Sequence, residues 1–135
     1  MTDRYEEQLR ARFGASYRSN ERYSNEPVLY DVTLKPSIDG HKVKSELEAL
    51  ADDLQVNILD LKNIKRQYVN GKTSQATYES VFGAELRYVT RVIPNLNRGP
   101  REVGEWVEVK PAAVPPSLKD QIKSIGLAEM MYLTD

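Results

Sequence analysis

The sequence predicts an α+β fold, an antiparallel sheet with two helices packed on one of its faces, and three observations predict it. Val28, Tyr30, Val32 and Leu34 alternate with Leu29, Asp31, Thr33 and Lys35, the two-residue period of a half-buried strand. Val43, Leu47, Leu50, Ala51 and Leu54 recur at helical intervals opposite Lys42, Lys44, Glu46, Glu48 and Asp52, and Tyr78, Val81 and Phe82 form a second helical stripe. Three further strand-like runs lie around these stripes, so the order is strand, helix, strand, strand, helix, strand.

Composition bounds what such a fold can do. At 135 residues and 40% hydrophobic, the chain fits one domain with some length left for an arm or tail. Nineteen basic against twenty acidic residues remove the general attraction of a nucleic-acid or membrane-surface protein, so neither is an expected partner. With no cysteine there is no disulfide framework, no thiolate nucleophile and no cysteine-based zinc site. The N-terminus lacks the apolar core of a signal peptide, and no apolar run approaches the roughly 18 to 20 residues that span a bilayer. The expected location is the cytoplasm or the interior of a larger particle.

Residues 1–27 differ in character from the rest of the chain and are expected to be an arm, partly helical or disordered. Thr2 or Asp3 can cap a helix through Phe13, with Tyr5, Leu9 and Phe13 on one stripe and Gly14 as its stop; Ala15 to Pro27 is polar and turn-rich. Every cation in this arm is arginine. Arg4, Arg12, Arg18 and Arg22, with Tyr17 and Tyr23, are candidate partner-binding residues, because arginine and tyrosine join large contact area to planar or polar hydrogen bonding.

A domain is expected over 28–128. The first strand ends at Pro36, and Ser37-Ile38-Asp39-Gly40 leads into the helix that carries Val43 to Leu54. Val56 to Lys62 and Ile64 to Lys72 read as two strands joined near Lys62 and Asn63. Gly71 reads as a turn, Thr73 or Ser74 as the cap of the second helix, Gly83 as its left-handed stop and Phe82 as buried. Glu85 to Ile93 is the expected fourth strand, completing the order of a split βαβ or ferredoxin-like sandwich. Val103 to Lys110 reads as an added edge strand bent at Gly104, and Leu118, Ile122 and Ile125 as the stripe of a C-terminal helix closed by Gly126. Residues 129–135 form a tail in which Met130, Met131, Tyr132 and Leu133 are further candidate partner contacts.

Thr73 to Tyr88, together with Val114-Pro115-Pro116-Ser117-Leu118, Ile122, Ile125, Gly126 and Leu127, resembles the activation domain, or propeptide, of the kumamolisin or sedolisin family of serine-carboxyl peptidases. The shared features are a Thr-containing turn, a helix ending in Phe-Gly, a strand with a tyrosine, a Pro-Leu helix start and a closing Ile-Gly-Leu; the resemblance covers about residues 42 to 128. It implies a ferredoxin-like domain that assists folding of a protease domain and masks its active site. The sequence departs from the family in having no catalytic domain after the Gly-Leu and in the short Pro36 to Gly40 loop where an early helical part is expected.

Residue by residue, the search for chemistry is negative. His41 is the only histidine, which rules out a two-histidine metal site and makes a surface or capping role the expectation. Gly71-Lys72-Thr73 resembles the end of a phosphate loop, but Arg66 stands where that motif needs its first glycine. Asp52 and Asp53 read as a solvated helix face and Asp60 as one half of a surface pair with a lysine; Trp106 alternates with valines and reads as a core residue on the opposite face. No catalytic residue, metal ligand or cofactor is therefore expected. The expectation is a non-catalytic protein-binding module, an inhibitor or folding assistant of a protease. The alternative is a structural subunit of a viral particle or secretion apparatus, a homo-oligomer or one part of a mixed assembly, whose arm contacts its neighbours.

Overall fold

In the computed structural model, which describes residues 4–94 and 97–128, the strands form two antiparallel sheets. The larger has the order β3-β4-β2-β7, from Gln55–Leu61, Arg66–Thr73, Val28–Leu34 and Ile122–Leu127. The smaller has the order β1-β5-β6, from Tyr17–Glu21, Glu85–Ile93 and Arg101–Lys110. Helices α2 (Gly40–Glu48) and α3 (Gln75–Phe82) lie on one face of the larger sheet: Val43, Leu47, Tyr78 and Phe82 share a core with Val28, Tyr30, Val32, Val56, Val69, Ile122 and Ile125. Helix α1 (Glu6–Phe13) covers the smaller sheet, where Tyr5 and Leu9 pack on Tyr17, Val89 and Val107.

Local chemistry accounts for the starts of α2 and α3 and for the end of α3. Asp39 caps α2 by accepting from the His41 N–H, and Ser74 caps α3 by accepting from the Thr77 N–H; Gly83 then takes the left-handed conformation at φ 67°. Asp53 lies beyond α2, not on its face. Its carboxylate accepts from the Ser74 N–H and from Thr77 Oγ1, and these bonds hold it below the usual carboxylate range. Helix α2 is shorter than its stripe: it stops at Ala49, leaving Leu50 exposed, while Leu54 reaches the core from the next turn.

Four expectations are corrected. Glu85–Ile93 is not the fourth strand of the main sheet; that place belongs to β7, and β5 pairs with β6 and β1. The expected C-terminal helix is a single 3-10 turn at Pro116–Leu118 followed by β7. Ile122 and Ile125 both face the core because the pairing with β2 shifts between Thr33 and Leu34, and that bulge gives a strand the three-residue spacing of a helix. Gly71 is a strand residue, not a turn: it pairs with Tyr30 and Val56, and a Cβ there would overlap the Tyr30 ring and the Gln55 carbonyl. Gly104 keeps regular register with Thr90, and the irregularity in that hairpin lies between Glu85 and Leu86; Gly104 leaves room for the Tyr88 ring.

Two carboxylates join the sheets. Glu108 of β6 accepts from the Leu127 N–H at 2.9 Å, from the Ala112 N–H at 2.8 Å and from the Tyr78 hydroxyl at 3.3 Å. Glu79 of α3 accepts from both terminal nitrogens of Arg22, from the Leu86 N–H and from Gln75. Burial opposes ionisation of Glu79, but the bonds from Arg22, Leu86 and Gln75 outweigh it and hold the carboxyl below the usual range. Trp106 adds a third tie: it packs against the main core, stands edge-on to Tyr88 at 5.1 Å and donates its indole N–H to the Pro27 carbonyl.

Candidate functional site

The helices cover one face of the larger sheet and leave the other open. Because paired residues of an antiparallel ladder share a face, the register places Leu59 with Tyr68, Leu61 with Arg66, Asn57 with Asn70 and Asp31, and Gln55 with Lys72 and Leu29 on that open side. Gly126 and Ser124 of β7 continue it beside Asp31 and Thr33. Leu59 is 57% exposed and Tyr68 44%, and Leu29 and Leu61 are exposed with them. Apolar groups set among amides, with a tyrosine and an arginine, compose a surface of the kind proteins use to meet one another.

Few internal bonds hold this face. The Tyr68 hydroxyl donates to Asp31 at 2.6 Å, and that bond to a carboxylate, together with partial burial, raises the phenol above its ordinary range. At the margin, Asp60 accepts from Gln67 at 2.8 Å and lies 3.2 Å from His41 Nε2; both contacts hold its carboxyl below the usual range. Asp60 therefore meets His41 and Gln67 where a lysine pair is the sequence expectation. At the opposite corner the chain leaves β7 with the Ala128 N–H bonded to the Leu29 carbonyl.

The arginine and tyrosine residues singled out in the arm do not gather into one site. Tyr17 is buried and donates to Glu6 at 2.6 Å, and burial followed by that bond raises its phenol. Arg22 is held by Glu79. Arg18 bonds the Ala15 and Tyr17 carbonyls, while Arg4 and Arg12 lie over the neighbouring rings of Tyr5 and Phe13. Tyr23, 73% exposed, stacks with Arg22. Met130, Met131, Tyr132 and Leu133 lie outside the described residues.

The open face does leave a trace in the sequence: Leu59 and Leu61 fall on one side of a strand whose other side carries Val56 and Ile58, so apolar residues occur on both. Alternation alone cannot say which side a helix covers. Among the described residues no group of three or more His, Cys, Asp or Glu side chains is placed to hold a metal ion, and no helix is long and apolar enough to cross a membrane. Comparison with protein-family models, with curated proteins and with solved structures finds no match.

Proposed function

We infer that this chain is a non-catalytic protein-binding module of the propeptide-like kind, an inhibitor or folding assistant of a protease, which docks through the open face of its larger sheet. The observation that carries the reading is the uncovered row of Leu59, Leu61, Tyr68 and Leu29 beside the point where the chain leaves β7 at Ala128. The added strand that this reading offers to a substrate cleft is the tail of residues 129–135, which lies outside the described residues.

The fold supports the same reading in its finer form. In β2-α2-β3 and β4-α3-β7 each pair of strands flanks an antiparallel neighbour, and that order supports the split βαβ, ferredoxin-like reading. On this reading β5 and β6 are a hairpin inserted between α3 and the fourth strand. The assembly alternative draws on the surface arginines of the arm, but Tyr17 and Arg22 are already engaged inside the chain, which leaves that alternative less to work with.

The test is inhibition of serine-carboxyl peptidases freed of their own propeptides, or recovery of their refolding, by the full chain. Inhibition that falls about tenfold or more in a Leu59→Thr, Leu61→Thr variant is the expected result. Absence of both effects, with a stable multimer that protects Arg4 to Arg22 from proteolysis, would overturn it in favour of assembly.

A further inference from the structure

The open face has a chemically distinct end. At the turn between β3 and β4, Leu61 and Ile64 are exposed, Ile64 at 61%, among Lys62, Lys65 and Arg66. Lys35 joins them: it lines, with Leu61, Ile64, Lys65, Arg66 and Tyr68, one surface concavity of about 860 Å³. Two carboxylates lie nearby, Asp31 bonded to Tyr68 and Asp60 to Gln67 and close to His41, and the four cations outnumber them. Among the described residues none of Lys35, Lys62, Lys65 and Arg66 forms an ion pair, although Lys62 adds to the field that keeps Asp60 ionised. In a chain of net charge −1 this is a local concentration of positive charge.

The backbone at this turn is also unusual. Lys65 adopts φ 50°, ψ 44°, a left-handed conformation that is unfavourable for an L-residue with a Cβ and that glycine or asparagine accepts more readily. A lysine held there keeps the cation in the cluster at the expense of local backbone strain.

Resting on the protein-binding reading, we propose that the open sheet face recognises an acidic polypeptide surface, with Lys35, Lys62, Lys65 and Arg66 pairing with its carboxylates and Leu59, Leu61, Ile64 and Tyr68 receiving its apolar side chains. Charge complementarity selects the sign of the partner. The amide pair Asn57 and Asn70, next to the pair Leu59 and Tyr68 on the same face, selects a polypeptide over a lipid surface. Amide side chains find partners in peptide carbonyl and N–H groups, whereas acyl chains would leave them unpaired.

The probe is a phage-displayed library of random short peptides panned on the full chain and, in parallel, on a K62E/K65E/R66E variant shown by circular dichroism and thermal melting to be folded. Enriched peptides should carry net negative charge with aromatic or branched apolar residues. They should bind at least about tenfold more weakly to the variant, lose affinity as salt rises, and shift the backbone amide resonances of residues 57–68. Enrichment of neutral or basic peptides, equal binding to the variant, or shifts confined elsewhere would overturn the proposal. So would no enrichment at all, including the case where the same cations instead bind phosphatidylserine vesicles. Peptidase inhibition without acidic-peptide binding removes this proposal and leaves the protein-binding reading standing, while acidic-peptide binding without inhibition does the reverse for the protease.

Discussion

The Tyr30 side chain crosses Gly71 on the neighbouring strand and donates its hydroxyl to the Gln55 carbonyl one strand further on, at 3.1 Å. Three strands of the larger sheet are thus tied by one buried phenol, which also meets Tyr78 and Phe82 of α3 with ring centroids 6.0 and 5.8 Å away. Burial pushes that phenol well above its ordinary range, which favours the protonated form that donates this bond.

Gly71→Ala is expected to destabilise the fold by about 3 kcal/mol, because a methyl group has no space between a ring and a carbonyl in a packed core. Urea denaturation measures it. The double variant with Tyr30→Leu should show strong coupling, since the second change removes the ring that the methyl meets. A Gly71→Ala variant as stable as the parent would refute the steric account.

Glu79→Gln is expected to cost about 2 to 3 kcal/mol, since charge-assisted bonds from Arg22, Leu86 and Gln75 all weaken together. The pH dependence has a definite sign. A native carboxyl held below its unfolded value, about 4.3 for glutamate, contributes stability that is complete above that value and is lost as pH falls through the lower native one. The parent should therefore lose more stability than the glutamine variant in this acid range. Parallel acid profiles would show that Glu79 is not the group responsible.

Leu59→Thr and Leu61→Thr should leave stability within about 0.5 kcal/mol of the parent, because both side chains are exposed and threonine suits a strand. Thermal melting checks this. A large loss would mean that the open face is covered within the chain and not available to a partner.

Trp106→Phe is expected to cost about 1 to 2 kcal/mol through loss of the bond to the Pro27 carbonyl. Trp106 is the only tryptophan and lies where the two sheets meet, so its fluorescence reports on that joint. Fluorescence and far-ultraviolet circular dichroism should follow one denaturation curve if the sheets unfold together. Separate curves would show two independent units.

The sequence alone determined part of the local structure: several core elements and the ends of the second core helix. The alternation of 28–34, the stripe of Tyr78 and Phe82, the Ser74 cap and the Gly83 stop are all short-range patterns, and local backbone sterics and hydrogen bonding enforce them. Only the tertiary structure decided which strands pair and which face stays bare. Ile122 and Ile125 carry a helical spacing, yet a bulge opposite Thr33 and Leu34 turns it into a strand, and this strand rather than β5 closes the sheet. Gly71 looks like a turn until Tyr30 is laid across it. The same holds for the candidate site, because Leu59 and Ile58 are equally apolar as letters. Their fates diverge because α2 and α3 cover only one side of the sheet, and strand pairing and layer packing join residues that are far apart in the chain.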